Sequence, residues 1–390
     1  MTLWVLEPKD PLIFRDGRAF DPVPGAKALS LSFPFPSTIA GAVRTREGQD
    51  AEGRFQEDKV SYVNTIGVRG PLLVLLDKRT GEIERLLVPA PRDAVVLEVE
   101  PASDAKGRVK PLVPLEAGSG SCSNLPSDLY LVGMASPELV KPHKKSPGFW
   151  YWDVFEQWLL EPRERCIDLA ELGHSGPLME SRFHVGIDPG TKAADVKKGA
   201  IFQTTGLDFV SRDDGSEPNR IKRFGLAADT DAPNLRDGLG FLGGERRLVG
   251  WRKSKNNLPS CPPSLISQVV KDRHCRLVLL TPACFVEGWH PGWLVTPRGG
   301  VHATLRAAAI ARPQVVSGWN MVLRQPKPAR RLAPAGTVFF LELSGSDEAI
   351  SKWVQTTWMS CVSDEEQDRL DGFGLAVIGT WDGKPRPMEV

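Results

Sequence analysis

The residues of this chain that could do chemistry are mostly arginines and lysines set beside glycine or proline. Gly243-Gly244-Glu245-Arg246-Arg247 is a glycine turn that presents two guanidinium groups. A guanidinium offers a planar pair of donors that matches a phosphate, which an ammonium does not. Phe14-Arg15-Asp16-Gly17-Arg18 repeats the theme early on, although Asp16 could simply pair with Arg15 or Arg18. A third basic stretch, Ser317 to Arg331, reads SGWNMVLRQPKPARR. Pro326 and Pro328 keep it extended. Lys327, Arg330 and Arg331, with Arg324 and the upstream Arg312, are therefore not folded away on a helix. Trp319 in this stretch either stacks on a base of single-stranded RNA or fills a core. Near the end, Asp371-Gly372-Phe373-Gly374 precedes an apolar run, Leu375 to Ile378. Successive N–H groups in such a turn can form an anion-binding concavity. A helix C-cap followed by a core strand accounts for the same residues.

Charge placement adds to this pattern. From Gly288 to Leu341 there is no Asp or Glu, while Arg298, Arg306, Arg312, Arg324, Lys327, Arg330 and Arg331 all fall there. From Glu342 onward, ten acids stand against four bases. The net charge over 390 residues is only +1, so any pull on a polyanion has to be local. A basic stretch without acids to pair with is a phosphate-binding feature, or else a solvated surface. The acidic terminal segment suits a protein partner better than a nucleic acid.

Signs of catalysis are few. The chain has no G-x-S-x-G and no H-E-x-x-H, and its six histidines are dispersed, the first being His143. A general acid–base ribonuclease needs His, or Tyr with Lys, beside its substrate. Gly238-x-Gly240-x-x-Gly243 matches the dinucleotide fingerprint only formally, because ERRLVGW follows it where a helix should begin. The six cysteines make no C-x-x-C pair, which fits a reducing compartment without disulfides or zinc. No cofactor or metal is expected. Without a signal peptide or a membrane-length apolar run, the expected location is cytoplasmic.

These groups need a scaffold, and the length calls for two domains. Leu3 to Leu6 reads as a strand, and Ile39, Ala42 and Val43 mark a helix capped by Ser37, with Thr38, Arg44 and Arg46 near it. Leu72–Leu76 and Ile83–Val88 read as a hairpin. Residues 100–127 read as loop, and residues 149–160 as a helix with core aromatics. Paired strands are expected around 183–192 and 199–210, with further strands at 221–228, 275–280, 307–319, 337–343 and 375–381. Ser346 should cap a helix over 347–359. The beginning and the last third both follow a β-α-β-β-α-β, ferredoxin-like plan. The expected fold is α+β, with two tandem ferredoxin-like (RRM-like) domains over 1–262 and 263–390, carrying long loop and β-hairpin insertions.

FRDGRAF, PSTIAGAVRT, HVGIDP…GAIFQTT, GFLGGERRL, SGWNMVLRQPKPARRLAPAG and GFGLAVIGTW occur in that order. Together they resemble the third-subunit family of the type III-B CRISPR effector, the Cmr complex, within the RAMP superfamily. The resemblance implies two ferredoxin-like domains and a subunit that binds RNA without cutting it. It would hold the repeat-derived 5′ tag of the guide RNA (crRNA). It would also dock the large polymerase/HD-domain subunit and an adjacent backbone RAMP subunit. By resemblance the RNA-binding residues are Arg15, Arg18, Ser37, Thr38, Arg44, Gly243, Gly244, Arg246, Arg247, Lys327, Arg330, Arg331, Gly372, Phe373 and Gly374. Pro189 departs from the family pattern, which often has Arg there. The alternative is a RAMP-type endoribonuclease that processes CRISPR repeat RNA.

Overall fold

Alternation along the first strand explains how the chain layers itself. Thr2–Pro8 turns Leu3 and Val5 to one face and Trp4 and Leu6 to the other, and all four are buried. A strand apolar on both faces has to sit inside a sheet that is covered on both sides. The computed structural model describes residues 1–15, 27–99, 103–118, 123–188, 190–194, 201–212, 221–295, 297–320 and 325–388. In it, Thr2–Pro8 lies antiparallel between Ile221–Thr230 and Leu248–Lys253. Val68–Leu76 pairs with Ile221–Thr230, and the expected hairpin joins it to Ile83–Pro89. Leu73 and Leu75 share one face of this sheet with Leu6, and the helix Pro36–Glu47 covers it through Ile39, Ala40 and Val43. Fully burying each such Leu, Ile or Val side chain contributes roughly 1.5–3 kcal/mol. Pro36 opens the helix in place of the expected cap: Phe35 is the extended residue before it, and Ser37 makes no capping bond. A proline fits there because the first helical N–H has no partner in any case.

The second sheet runs His302–Ala309, Val338–Ser344, His274–Leu279, Leu375–Thr380, Ser360–Cys361, all antiparallel. The helix Asp347–Thr357 packs on it, and the Ser346 hydroxyl accepts from Ala349 N–H at 3.2 Å, as expected of a cap. A second helix, Pro263–Asp272, packs beside it. It went unread in the sequence although Leu265, Ile266, Val269 and Val270 make an apolar stripe at helical spacing.

Three further expectations differ from what is observed. The strand expected at 307–319 is two strands, His302–Ala309 and Gln314–Asn320, and the second pairs with Gln325–Leu332 as a separate ribbon. The stretch 100–127 contains strands Lys106–Pro111 and Val113–Glu116. The aromatic segment begins as a strand, Phe149–Tyr151, before the helix Trp152–Leu160. Trp150 and Trp158 are buried, as their size demands.

The other face of the first sheet shares one continuous core with the second. Arg276 fastens them. It is 2% exposed and its guanidinium bonds Asp93 and the carbonyls of Trp158, Leu159 and Thr380. A buried charge is tolerated only when its donors are met in this way.

Candidate nucleic-acid interface

The terminal glycine loop follows a one-turn helix, Glu366–Leu370, and leads into the strand Leu375–Thr380. Gly372 and Gly374 have φ of +91° and +81°. A Cβ on Gly372 would lie 2.9 Å and 2.8 Å from the carbonyl oxygens of Val68 and Gly70, so glycine lets the two halves touch there. The loop's donors are already used. The N–H groups of Gly372, Phe373 and Gly374 donate to the carbonyls of Arg369, Asp368 and Pro282. Phe373 is 0% exposed and packs among Phe35, Cys284, Val316 and Leu332. The expected anion-binding surface is therefore a buried joint. Gly372, Phe373 and Gly374 position other residues and present no donor to a ligand.

That joint gathers several of the sequence motifs. Phe35 and Pro36 bring the start of the first helix to it, with Ser37 and Thr38 half-buried in the first turn. Arg44 points inward, its guanidinium held by Asp371 and the Ile66 carbonyl. It is no surface contact, because its charge is spent on a carboxylate that is itself buried. Arg46 likewise bonds the carbonyls of Arg236, Asp237 and Leu239. Burial first, and then Arg236, lower its pKa.

The ribbon Gln314–Asn320/Gln325–Leu332 stands on the joint through Val316 and Leu332. Among the described residues its strands pair with each other and with no further strand, where two prolines can be accommodated. Lys327 and Arg331 are exposed on it. Arg330 instead pairs with Asp368 at 2.5 Å and lies over the Phe373 ring. Burial opposes the charge on Arg330, but the hydrogen bond and charge of Asp368 outweigh it and raise the pKa. The acid-free stretch is thus partly neutralised from the acidic segment. Glu342 pairs with Arg306, and Asp364 accepts from Val286 and Gly292 N–H groups. Linear charge counting missed this because the acids lie next in sequence and fold back. Arg18, Pro189 and Arg324 lie outside the described residues, as does the side chain of Trp319.

The second glycine turn is elsewhere and is exposed. Gly244 N–H donates to the Ile13 carbonyl at 2.7 Å, which ties the turn to the segment that carries Arg15, an exposed residue bridged to Ser30. Gly243 has φ of +75°, and a Cβ there would lie 2.5 Å from that carbonyl. Glu245 and Arg246 follow at φ of +58° and +50°, unusual for residues with side chains. Arg246 is exposed and lies 4.5 Å over Phe241. Arg247 pairs with Glu245 at 3.0 Å. As expected, a turn and not a helix follows the G-x-G-x-x-G residues. The paired strands expected around 183–192 and 199–210 form the hairpin Leu178–Val185/Ile201–Asp208, whose first strand begins and ends earlier than expected and which leaves Phe183, Val185 and Ile201 exposed.

The family profile of the CRISPR-associated protein Cmr3 matches residues 4–381, nearly the whole chain. The chain belongs to that family. This agrees with the motif resemblance and makes it a type III-B Cmr subunit. No curated protein matches it significantly. Among solved structures it is similar to a chain of the type III-B Cmr-beta complex bound to cognate target RNA and AMPPnP, at 14% identity, TM-score 0.44, over 87% of this chain and 86% of that one. A chain of the same complex with target RNA alone matches at 13% identity, TM-score 0.44, over the same shares. A chain of the type III-A Csm3–Csm4 subcomplex matches at 10% identity, TM-score 0.32, over 89% and 94%. No described helix is long and apolar enough to cross a membrane.

Proposed function

We propose that this chain is the non-catalytic RNA-binding subunit of its effector, holding the 5′ tag of the crRNA and docking the large polymerase/HD subunit and an adjacent backbone RAMP subunit. The reading extends to two tandem ferredoxin-like units meeting near 262/263. In each sheet four strands follow the antiparallel order of that plan: 248–253, 2–8, 221–230, 68–76 in the first and 375–380, 274–279, 338–344, 302–309 in the second. The observation that carries the RNA assignment is the ribbon. Lys327 and Arg331 stand exposed on a ribbon that is anchored by the buried Val316 and Leu332, and neither has an ion pair among the described residues. Arg246 and Arg15 form a second exposed basic site at the other glycine turn. Phosphate contacts from exposed guanidinium and ammonium groups supply sequence-independent affinity, while unpaired bases stack on aromatic rings.

The test is binding of 5′-tag RNA across a salt series. Lys327→Ala with Arg331→Ala should weaken binding and reduce the log–log salt slope by about 0.7 for each lost single-strand phosphate contact. An unchanged slope removes the ribbon from the site. Incubation of the same RNA with the wild-type chain checks the non-catalytic reading, since cleavage would support the endoribonuclease.

A further inference from the structure

We propose that a groove beside the outer strand of the second sheet is a protein-docking site for an extended aliphatic segment that carries carboxylates. This rests on the chain's place in a multisubunit effector but not on the RNA assignment. The groove is about 900 Å³ and is walled chiefly by aliphatic side chains. Leu125, Leu131 and Trp289 line it and are each 37–39% exposed, a cost the isolated chain bears with no gain of its own.

Backbone geometry indicates what should lie there. His302–Ala309 is the outer strand of its sheet. The chain's own Tyr130 begins to extend that edge. It bridges Ala307 in parallel and its N–H donates to the Arg306 carbonyl at 2.8 Å. Residues Leu131–Gly133 then leave to pair with Val113–Glu116. Beyond Ala307 the groove floor is formed by Ala308, Ala309, Ile310 and Ala311, and the small side chains of the three alanines let a second backbone approach. An incoming strand would continue the pairing that Tyr130 starts, placing alternate side chains in the apolar wall.

Charge selects the partner. Arg92 and Arg331 line the groove, and neither has an ion pair among the described residues. The carboxylate that lines the groove is Glu287, which lies 3.9 Å from His290. Two unneutralised guanidinium groups beside an aliphatic floor favour a peptide with Asp or Glu flanking its apolar residues. A nucleobase is less suited, because its polar edges would meet few hydrogen-bonding groups in an aliphatic wall.

The experiment uses the full chain, the separately purified protein subunits of its own effector, and 5′-tag RNA. Leu131→Glu and Arg92→Glu place negative charge in the groove at residues outside the ribbon strands. Each should weaken binding of one subunit at least tenfold and leave RNA affinity within twofold, with the circular dichroism spectrum unchanged. Restored affinity on pairing Arg92→Glu with an acid-to-lysine change in the partner would confirm the charge match. Loss of RNA affinity with subunit binding intact would make the groove a base-binding site and overturn the proposal. Unchanged binding of every subunit would overturn it as well. Lys327 does not line the groove, so the salt slope of Lys327→Ala tests the RNA assignment separately from this proposal.

Discussion

The two glycine turns look alike in the sequence and end up in opposite surroundings. At Gly243 a Cβ would meet the Ile13 carbonyl, and at Gly372 the carbonyls of Val68 and Gly70. Both glycines are there because another backbone passes too close for a side chain. The turn at Gly243 sits at the surface and raises Arg246 into solvent. The turn at Gly372 is closed over by the first helix, the ribbon and the first sheet, and its N–H groups are all taken. Glycine in a loop therefore reports a close approach but does not say whether the approaching group is the protein or a ligand. The decisive difference is where the N–H groups go.

The largest expected effect tests the buried turn. Gly372→Val should destabilise the chain by about 3 kcal/mol or more, since it combines positive φ with backbone clashes in a packed interior. Gly374→Val should also destabilise it: its Cβ would meet Ser363 N and Oγ at 2.9 Å, so a normal thermal transition is not expected. Gly243→Val, where the surface loop has room to shift, should cost roughly 1–2 kcal/mol. Denaturant midpoints measure all three, and equal losses at Gly372 and Gly243 would break the comparison. Thiol labelling gives a second readout. Cys284 packs behind Phe373, and burial first, then the Asp368 charge, push its thiol up to about 11. At pH 8 it should react far more slowly than the exposed Cys166, and Gly372→Val should speed it up.

Next in size is Arg44→Ala. Asp371 is 7% exposed and would lose its ion pair, keeping only the Gln367 amide at 2.9 Å. Stranding a buried carboxylate in this way should cost about 2–3 kcal/mol. The RNA salt slope should not change, because the side chain faces inward. A reduced slope with unchanged stability would return Arg44 to the RNA surface.

Much of the scaffold was legible because its signals are local. Alternation in Leu3–Leu6, the turn between Leu76 and Ile83, the Ser346 cap and the unbroken run at Leu375 each state one element within a few residues. The candidate site was less legible because charge partners are set by tertiary folding. Nothing near Arg330 in sequence announces Asp368, and nothing near Arg44 announces Asp371. The strand at 307–319 was read as one because both halves are β-prone, and Pro313 marks the break only once the pairing is known. Trp150 and Trp158 were placed correctly in the core because size alone drives large aromatics inward.

The smallest effect bears on the exposed turn. Arg246 holds φ of +50° directly after Glu245 at +58°, a conformation that costs a residue with a Cβ about 1 kcal/mol or more and glycine almost nothing. Its guanidinium lies over the half-exposed Phe241 ring, a contact worth about 0.5–1 kcal/mol at the surface. The two nearly cancel, so Arg246→Gly should change stability by no more than about 1 kcal/mol, toward greater stability if strain dominates. Tag-RNA affinity should fall in the same variant, with a shallower salt slope. Strain kept at a surface residue without a stability benefit points to a role in binding. If Arg246→Gly lowers stability by 2 kcal/mol or leaves RNA binding intact, the residue is a structural brace for the turn, and the two glycine turns differ only in exposure.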